Sequence, residues 1–324
     1  MDEYFHSVCS TGRIKEISSL LEEPTLNPNY QNNLGATPLF LTCFNGHFEV
    51  VKLLLSHKRV DVNKPNNFAR TPFYIASQEG HVDIVKLLLN DQRIEVNQAN
   101  NDGKTPFYIA CFNGHVEVMK LLLNDERIEV NRIRRSDGET AFWIACRKGH
   151  LEVVRILLNS ERVDVTKTNN FGRTPFFIAC LRGHIEIIKL LVHDERIDIN
   201  KANNFGITPL MAVSASHLGQ IEAIRFILAC GKEVNLTARD DDGNNAIDHA
   251  KRNGKTEIVE LLESFQKNPN GIRSELRKQL DLSGKFYYFY YFVLFYCYYC
   301  SFIKFNLFRH RCCSSIFNDC INIR

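Results

Sequence analysis

The chain lacks an excess of either charge over most of its length. Of its 40 Lys and Arg and 37 Asp and Glu, only four and one respectively fall after Phe286, which leaves 36 of each before it. A body so balanced offers no electrostatic grip on a polyanion, and no nucleic-acid partner is expected. The opening residues, Met1 to Arg13, hold neither a basic nor an apolar stretch, so no secretory signal is expected. Catalytic signatures are missing as well. There is no His-Glu-x-x-His, no glycine-rich dinucleotide loop and no Ser/His/Asp order. Gly103-Lys104-Thr105 and Gly254-Lys255-Thr256 end like a phosphate loop, but Gln98 and His249 stand where its first glycine is required. Neither enzymatic activity nor a cofactor is expected.

A disulfide framework is also absent. The cysteines before the tail are Cys9, Cys43, Cys111, Cys146, Cys180 and Cys230. Four of them recur at one repeat position and read as small buried residues, which fits a reducing, cytoplasmic setting.

What is present is a repeat. "TPLFLTCFNGHFEVVKLLL" begins at Thr37, "TPFYIASQEGHVDIVKLLL" at Thr71 and "TPFYIACFNGHVEVMKLLL" at Thr105. Further copies begin at Thr140, Thr174, Thr208 and, degenerate, at Asn245, with spacings of 34, 34, 35, 34, 34 and 37 residues. Upstream, Gly12 keeps the register with Gly46, which places a further unit near Glu3. About eight units therefore fill residues 1–265.

Each unit reads as two helices and a loop. Thr caps the first helix and Pro takes its first turn, where the missing N–H costs nothing. The Gly of Gly-His stops that helix in a left-handed conformation. In "HVEVMKLLL" the apolar residues Val116, Val118, Met119, Leu121 and Leu122 share one helical face. An extended "RIEVN" segment and a turn such as "NNFG" suggest a hairpin-like loop projecting sideways. One unit cannot hide its apolar face, whereas stacked neighbours can. His47, His81, His115, His150 and His184, one per unit, lie too far apart to share a metal and are expected to act as structural caps.

The pattern resembles the ankyrin repeat, D-x-x-G-x-T-P-L-H-x-A-x-x-x-G-H-x-x-V-V-x-x-L-L, over about four-fifths of the chain. The resemblance implies an all-α ankyrin-repeat solenoid of stacked helix-turn-helix units with projecting β-hairpin-like loops. Two departures stand out. The histidine of T-P-L-H, which in the family hydrogen-bonds to loop backbone, is replaced by Phe40, Tyr74, Tyr108, Trp143, Phe177 and Met211. Ala69 sits where Gly35, Gly103, Gly172 and Gly206 stand in other units, at a cost of about 1 kcal/mol if φ is positive there.

The resemblance further implies a non-catalytic scaffold or adaptor that binds a protein partner on its concave face, through the loop tips and the exposed side of the first helix. The matching tip residues include Phe68 with Arg70, Phe171 with Arg173, and Phe205. The matching first-helix residues include Phe44, Phe112, Arg147, Lys148, Leu181 and Arg182. Aromatics and arginines are the types that anchor interfaces. An equally weighted reading packs the tip phenylalanines on the neighbouring tip. Arg147, Lys148, Arg173 and Arg182 form a basic band suited to an acidic stretch of a partner, or simply a solvated face. A monomer is expected.

Two segments follow the repeats. Residues 266–285 read as a basic cap or linker, with a breaker at Asn268-Pro269-Asn270-Gly271 and then a short helix bearing Ile272, Leu276 and Leu280 on one side. Residues 286–324 are a tail with 8 Phe, 7 Tyr and 5 Cys. Its Cys297-x-x-Cys300 with His310, Cys312 and Cys313 has zinc-like composition, yet inside a Phe/Tyr run no metal is expected. Residues 286–303 carry no charge over 18 residues, the lower limit for a membrane span, and basic residues flank them. Seven of those 18 are Tyr, which prefers the headgroup region. The tail reads as a single-pass anchor that leaves the repeats facing the cytoplasm, as a translated intron, or as a folded or partner-buried segment. With an anchor, the chain becomes a membrane-tethered targeting or regulatory subunit.

Overall fold

The computed structural model describes residues 1–216 and 221–282. The chain divides into two compact units, Met1–Lys267 and the residues from Asn268 on.

Threonine chemistry sets the rhythm of the first unit. Thr37, Thr71, Thr105, Thr140, Thr174 and Thr208 each accept, through the side-chain oxygen, the N–H of the residue three places on, at 3.0–3.3 Å. Such a cap contributes about 1 kcal/mol per helix. Pro follows in every case but one, where Ala141 opens the helix. Five of these helices then close on a glycine in the left-handed region, as at Gly80 with φ 78°, and the one from Thr208 closes on Ser216 instead.

Eight helix pairs result among the described residues. They are α1 (Asp2–Thr11) with α2 (Ile14–Leu21), α3 (Pro38–Asn45) with α4 (Phe48–Ser56), α5 (Pro72–Glu79) with α6 (Val82–Leu89), and α7 (Pro106–Asn113) with α8 (Val116–Asn124). Next come α9 (Ala141–Lys148) with α10 (Leu151–Leu158), α11 (Pro175–Arg182) with α12 (Ile185–Val192), α13 (Pro209–Ala215) with α14 (Ile221–Ala229), and α15 (Ala246–Arg252) with α16 (Thr256–Lys267). No strand forms among the described residues.

First helices stack on first helices, from α1 to α15, and second helices on second helices. A first helix therefore has neighbours on several sides and is buried nearly all round: α5 hides Pro72 to Ser77 without a break. A second helix buries one stripe, as α6 does with Ile84, Val85 and Leu88. Each such side chain contributes about 1.5–3 kcal/mol on burial. The core is one continuous layer between the two rows, and the four repeat-position cysteines lie wholly inside it.

Gly-His ties successive units together rather than capping its own helix. His81 holds the N-cap position of α6 but makes no side-chain bond there; its Nε2 instead meets the Phe44 carbonyl of the preceding unit at 3.0 Å. His115, His150 and His184 repeat this contact with the carbonyls of Gln78, Phe112 and Arg147 at 2.8, 2.8 and 3.0 Å. The ring fits because the facing residue is glycine: a Cβ on Gly80 would lie 2.7 Å from His115 Nδ1. The expected cap is thus a bridge, and it satisfies carbonyls left open at the end of the first helix.

The loops keep a hairpin-like path without strand pairing. At one tip Asn66 accepts the N–H groups of Phe68 and Arg70, both at 3.0 Å, while its own N–H reaches the Arg70 carbonyl at 2.9 Å. Tips join one another by a single backbone bond, such as Asn101 N–H to Phe68 O at 3.1 Å.

In the second unit the described residues form α17 (Pro269–Gln279). Pro269 does not precede the helix as a breaker but opens it, because Asn268 caps it by accepting the Gly271 N–H at 3.0 Å. Among the described residues no helix is long and apolar enough to cross a membrane. The candidate span 286–303 and the cysteines of the tail lie outside the described residues.

Candidate functional site

The tips and the C-terminal ends of the first helices form one surface, because side chains bridge them. Lys104, on a tip, and Lys148, at the end of α9, both stand over the ring of Phe112 at the end of α7, at 5.8 and 4.2 Å from its centroid. The tip phenylalanines do not bury themselves on the next tip. Phe68, Phe171 and Phe205 keep 51%, 48% and 48% of their surface exposed, and Phe44 keeps 46%. Their backbone carbonyls make the tie between tips, to Asn101, Asn204 and Asp241, which leaves the rings outside. Arginines cover them in part. The Arg70 guanidinium lies 5.4 Å from the Phe68 ring, and that of Arg173 lies 5.3 Å from Phe171 and 5.8 Å from Phe177. Such stacks contribute about 0.5–1 kcal/mol at exposed sites. Leu181 is half-buried and Arg182 is exposed on the same helix end.

The basic band is less basic than the sequence suggested. Arg147 pairs with Glu139, Nη1 to Oε1 at 3.3 Å, and the Glu139 side chain is 5% exposed. The Tyr108 hydroxyl donates to the other Glu139 oxygen at 3.1 Å. Burial and the neighbouring Asp137 push the Glu139 carboxyl above the ordinary glutamate range. Burial likewise raises the Tyr108 hydroxyl, and Glu139 adds to the rise. This cluster sits where the repeat spacing lengthens to 35 residues. There Arg134 replaces the tip asparagine and is held by Asp137. Arg147 is therefore ion-paired, whereas Lys148, Arg173, Arg182 and Arg70 make no ion pair among the described residues.

A family model described as ankyrin repeats, three copies, matches residues 5–272 in six overlapping placements. The chain belongs to the ankyrin-repeat family. No curated protein matches it. Ankyrin repeats generally mediate protein–protein interaction and are typically non-enzymatic. In this ankyrin-repeat protein the aromatic residues at the T-P-L-H histidine position are buried. One of them recovers the histidine's bond to loop backbone: Trp143 Nε1 donates to the Arg173 carbonyl at 2.9 Å. Tyr74, whose hydroxyl receives the Asn100 amide at 3.4 Å, is pushed up to about 12 by burial.

Sequence reasoning missed two ladders that hold the ankyrin stack together on its other side. Arg59, Arg93, Arg127 and Arg196 each donate to a carbonyl near the end of the preceding unit's second helix, at Leu21, Leu55, Leu89 and Leu158, at 2.6–2.8 Å. The asparagine of "RIEVN" spans units twice: Asn97 donates to the Arg127 carbonyl at 2.6 Å and accepts the Glu129 N–H at 2.9 Å. Both were signalled by recurrence at 34 residues. A cleft of about 770 Å³ lies between the loops at Ile94–Asn101 and Arg132–Arg135, and none of the predicted site residues lines it.

Proposed function

We propose that the chain is a non-catalytic scaffold or adaptor, monomeric and cytoplasmic, that takes a partner protein across its tips and first-helix ends. The observation that carries this reading is the exposed phenylalanine series Phe44, Phe68, Phe171 and Phe205. Rings of this size left half in water, three at the same tip position and Phe44 at a first-helix end, are anchors of the kind interfaces use. The buried, unpaired thiols support the cytoplasmic placement.

A photo-crosslinking amino acid placed at Phe44, Phe112 or Phe171 tests it, with Lys52 and Glu117 on the second helices as controls. The expected result is one protein crosslinked from all three face positions and from neither control. Crosslinks from the second-helix positions alone, or from none, overturn the reading.

A further inference from the structure

Most arginines of the repeats are already satisfied within the chain. Arg93, Arg127 and Arg196 are held by aspartates, and Arg134 and Arg147 by Asp137 and Glu139. Arg70 and Arg173 differ. Each stacks on the phenylalanine two residues before it, and each keeps a buried Nε with no acceptor among the described residues. They occupy the same tip position three units apart. Neighbouring helices pack ~10 Å apart, so the two guanidiniums stand ~30 Å from one another. Between them Lys148 lies over Phe112, again with no carboxylate partner among the described residues. Of the other charges near this strip, Lys104 meets Asp102 at 3.1 Å and Arg147 meets Glu139, while Arg135, Arg182 and Glu79 stand exposed.

The strip therefore interleaves cations that make no ion pair with neutral pairs. A polyanion with a charge at every step meets Asp102 and Glu139 and is repelled at both. A ligand with spaced charges can meet Arg70, Lys148 and Arg173 and avoid those two carboxylates. An arginine that makes no ion pair matches a carboxylate, which its two Nη groups can bind through two parallel bonds. An extended strand covers ~30 Å in about nine residues.

We propose that this face takes an extended acidic peptide segment of the partner, with carboxylates about nine residues apart paired to Arg70 and Arg173 and one between them paired to Lys148. Phe68, Phe112 and Phe171 supply the apolar platform beneath the intervening residues. The inference rests on the scaffold reading and names the chemistry of what that face receives.

The test uses the full chain and a fluorescein-labelled twelve-residue peptide with glutamate at its second, seventh and eleventh positions in an alanine, serine and leucine background. The same peptide with glutamine in place of glutamate and a twelve-residue oligothymidylate serve as comparators. The wild type binds the glutamate peptide, and added salt weakens the complex. Arg70→Gln and Arg173→Gln each lower the affinity about 10-fold, and together about 100-fold, while melting temperatures stay within about 2 °C of wild type. Absence of binding at millimolar peptide, equal binding by the double variant, or equal binding of the glutamine peptide or oligothymidylate overturns the proposal. Failure here is separable from failure of the scaffold reading. A crosslinked partner that the double variant retains leaves the scaffold standing and removes the acidic segment. A glutamate peptide that depends on both arginines, with no protein crosslinked from the face, does the reverse.

Discussion

Thr166 donates its hydroxyl to Asp164 at 2.7 Å, within its own loop. In the units around it the same position is an asparagine that reaches forward instead: Asn131 donates to the Arg162 carbonyl at 2.7 Å and accepts the Asp164 N–H at 2.8 Å. Asn200 does the same with Glu233 and Asn235 at 2.8 and 3.0 Å. Thr166 is too short to span that gap, so the step between α9/α10 and α11/α12 lacks a two-bond clamp its neighbours have. In a stack whose stability is a sum of unit and interface contributions, this is a weak seam.

Thr166→Asn restores the clamp. Two hydrogen bonds contribute about 1–2 kcal/mol, which raises the melting temperature by roughly 3 °C in a domain of this size. A thermal melt checks it. An unchanged or lowered midpoint contradicts the role given to the asparagine ladder.

Ala69 has φ 56°, in the region that disfavours any residue with a Cβ. Ala69→Gly relieves that strain, a gain of about 1 kcal/mol seen as a rise of roughly 2 °C in the melting temperature. A fall on substitution means that the lost unfolded-state restriction outweighs the strain.

Asp91, Asp125 and Asp194 are held below the ordinary aspartate range, chiefly by side-chain hydrogen bonds from Arg93, Arg127 and Arg196. For a depressed carboxylate the unfolded chain binds more protons than the folded one. The stability it contributes is present above about pH 4 and is lost as pH falls through the depressed value. The triple Asp→Asn variant therefore melts a few degrees below wild type near neutral pH, and the gap closes in acid. Melting curves across that range check it, and a gap independent of pH contradicts it.

The helices were legible because their signals are local: in four of the units Thr-Pro opens and Gly-His closes the first helix within eight or nine residues. Ala69 was legible from its column of glycines alone. The ladders were harder to read, since Arg127 and Asn97 find their partners 38 and 30 residues away, and only the repeat register brings these together. Within the band of cations, the ion pair of Arg147 was not legible. That pair depends on where the lengthened loop at Arg134–Gly138 delivers Glu139, and spacing alone does not fix that. Likewise the sequence weighed the tip phenylalanines equally as packing and as anchors. The backbone bonds that tie tip to tip, and so leave the rings outside, appear only in three dimensions.

The central claim is that the tips and first-helix ends are the binding face. Its most direct test is the affinity of the crosslinked partner for Phe112→Glu/Leu181→Glu set against Lys52→Glu/Lys86→Glu on the second helices, with all variants melting alike. The account predicts a loss of at least about 100-fold for the first pair, the magnitude of a lost hot spot, and no change for the second. Equal affinity for both, or a loss confined to the second-helix pair, would contradict it.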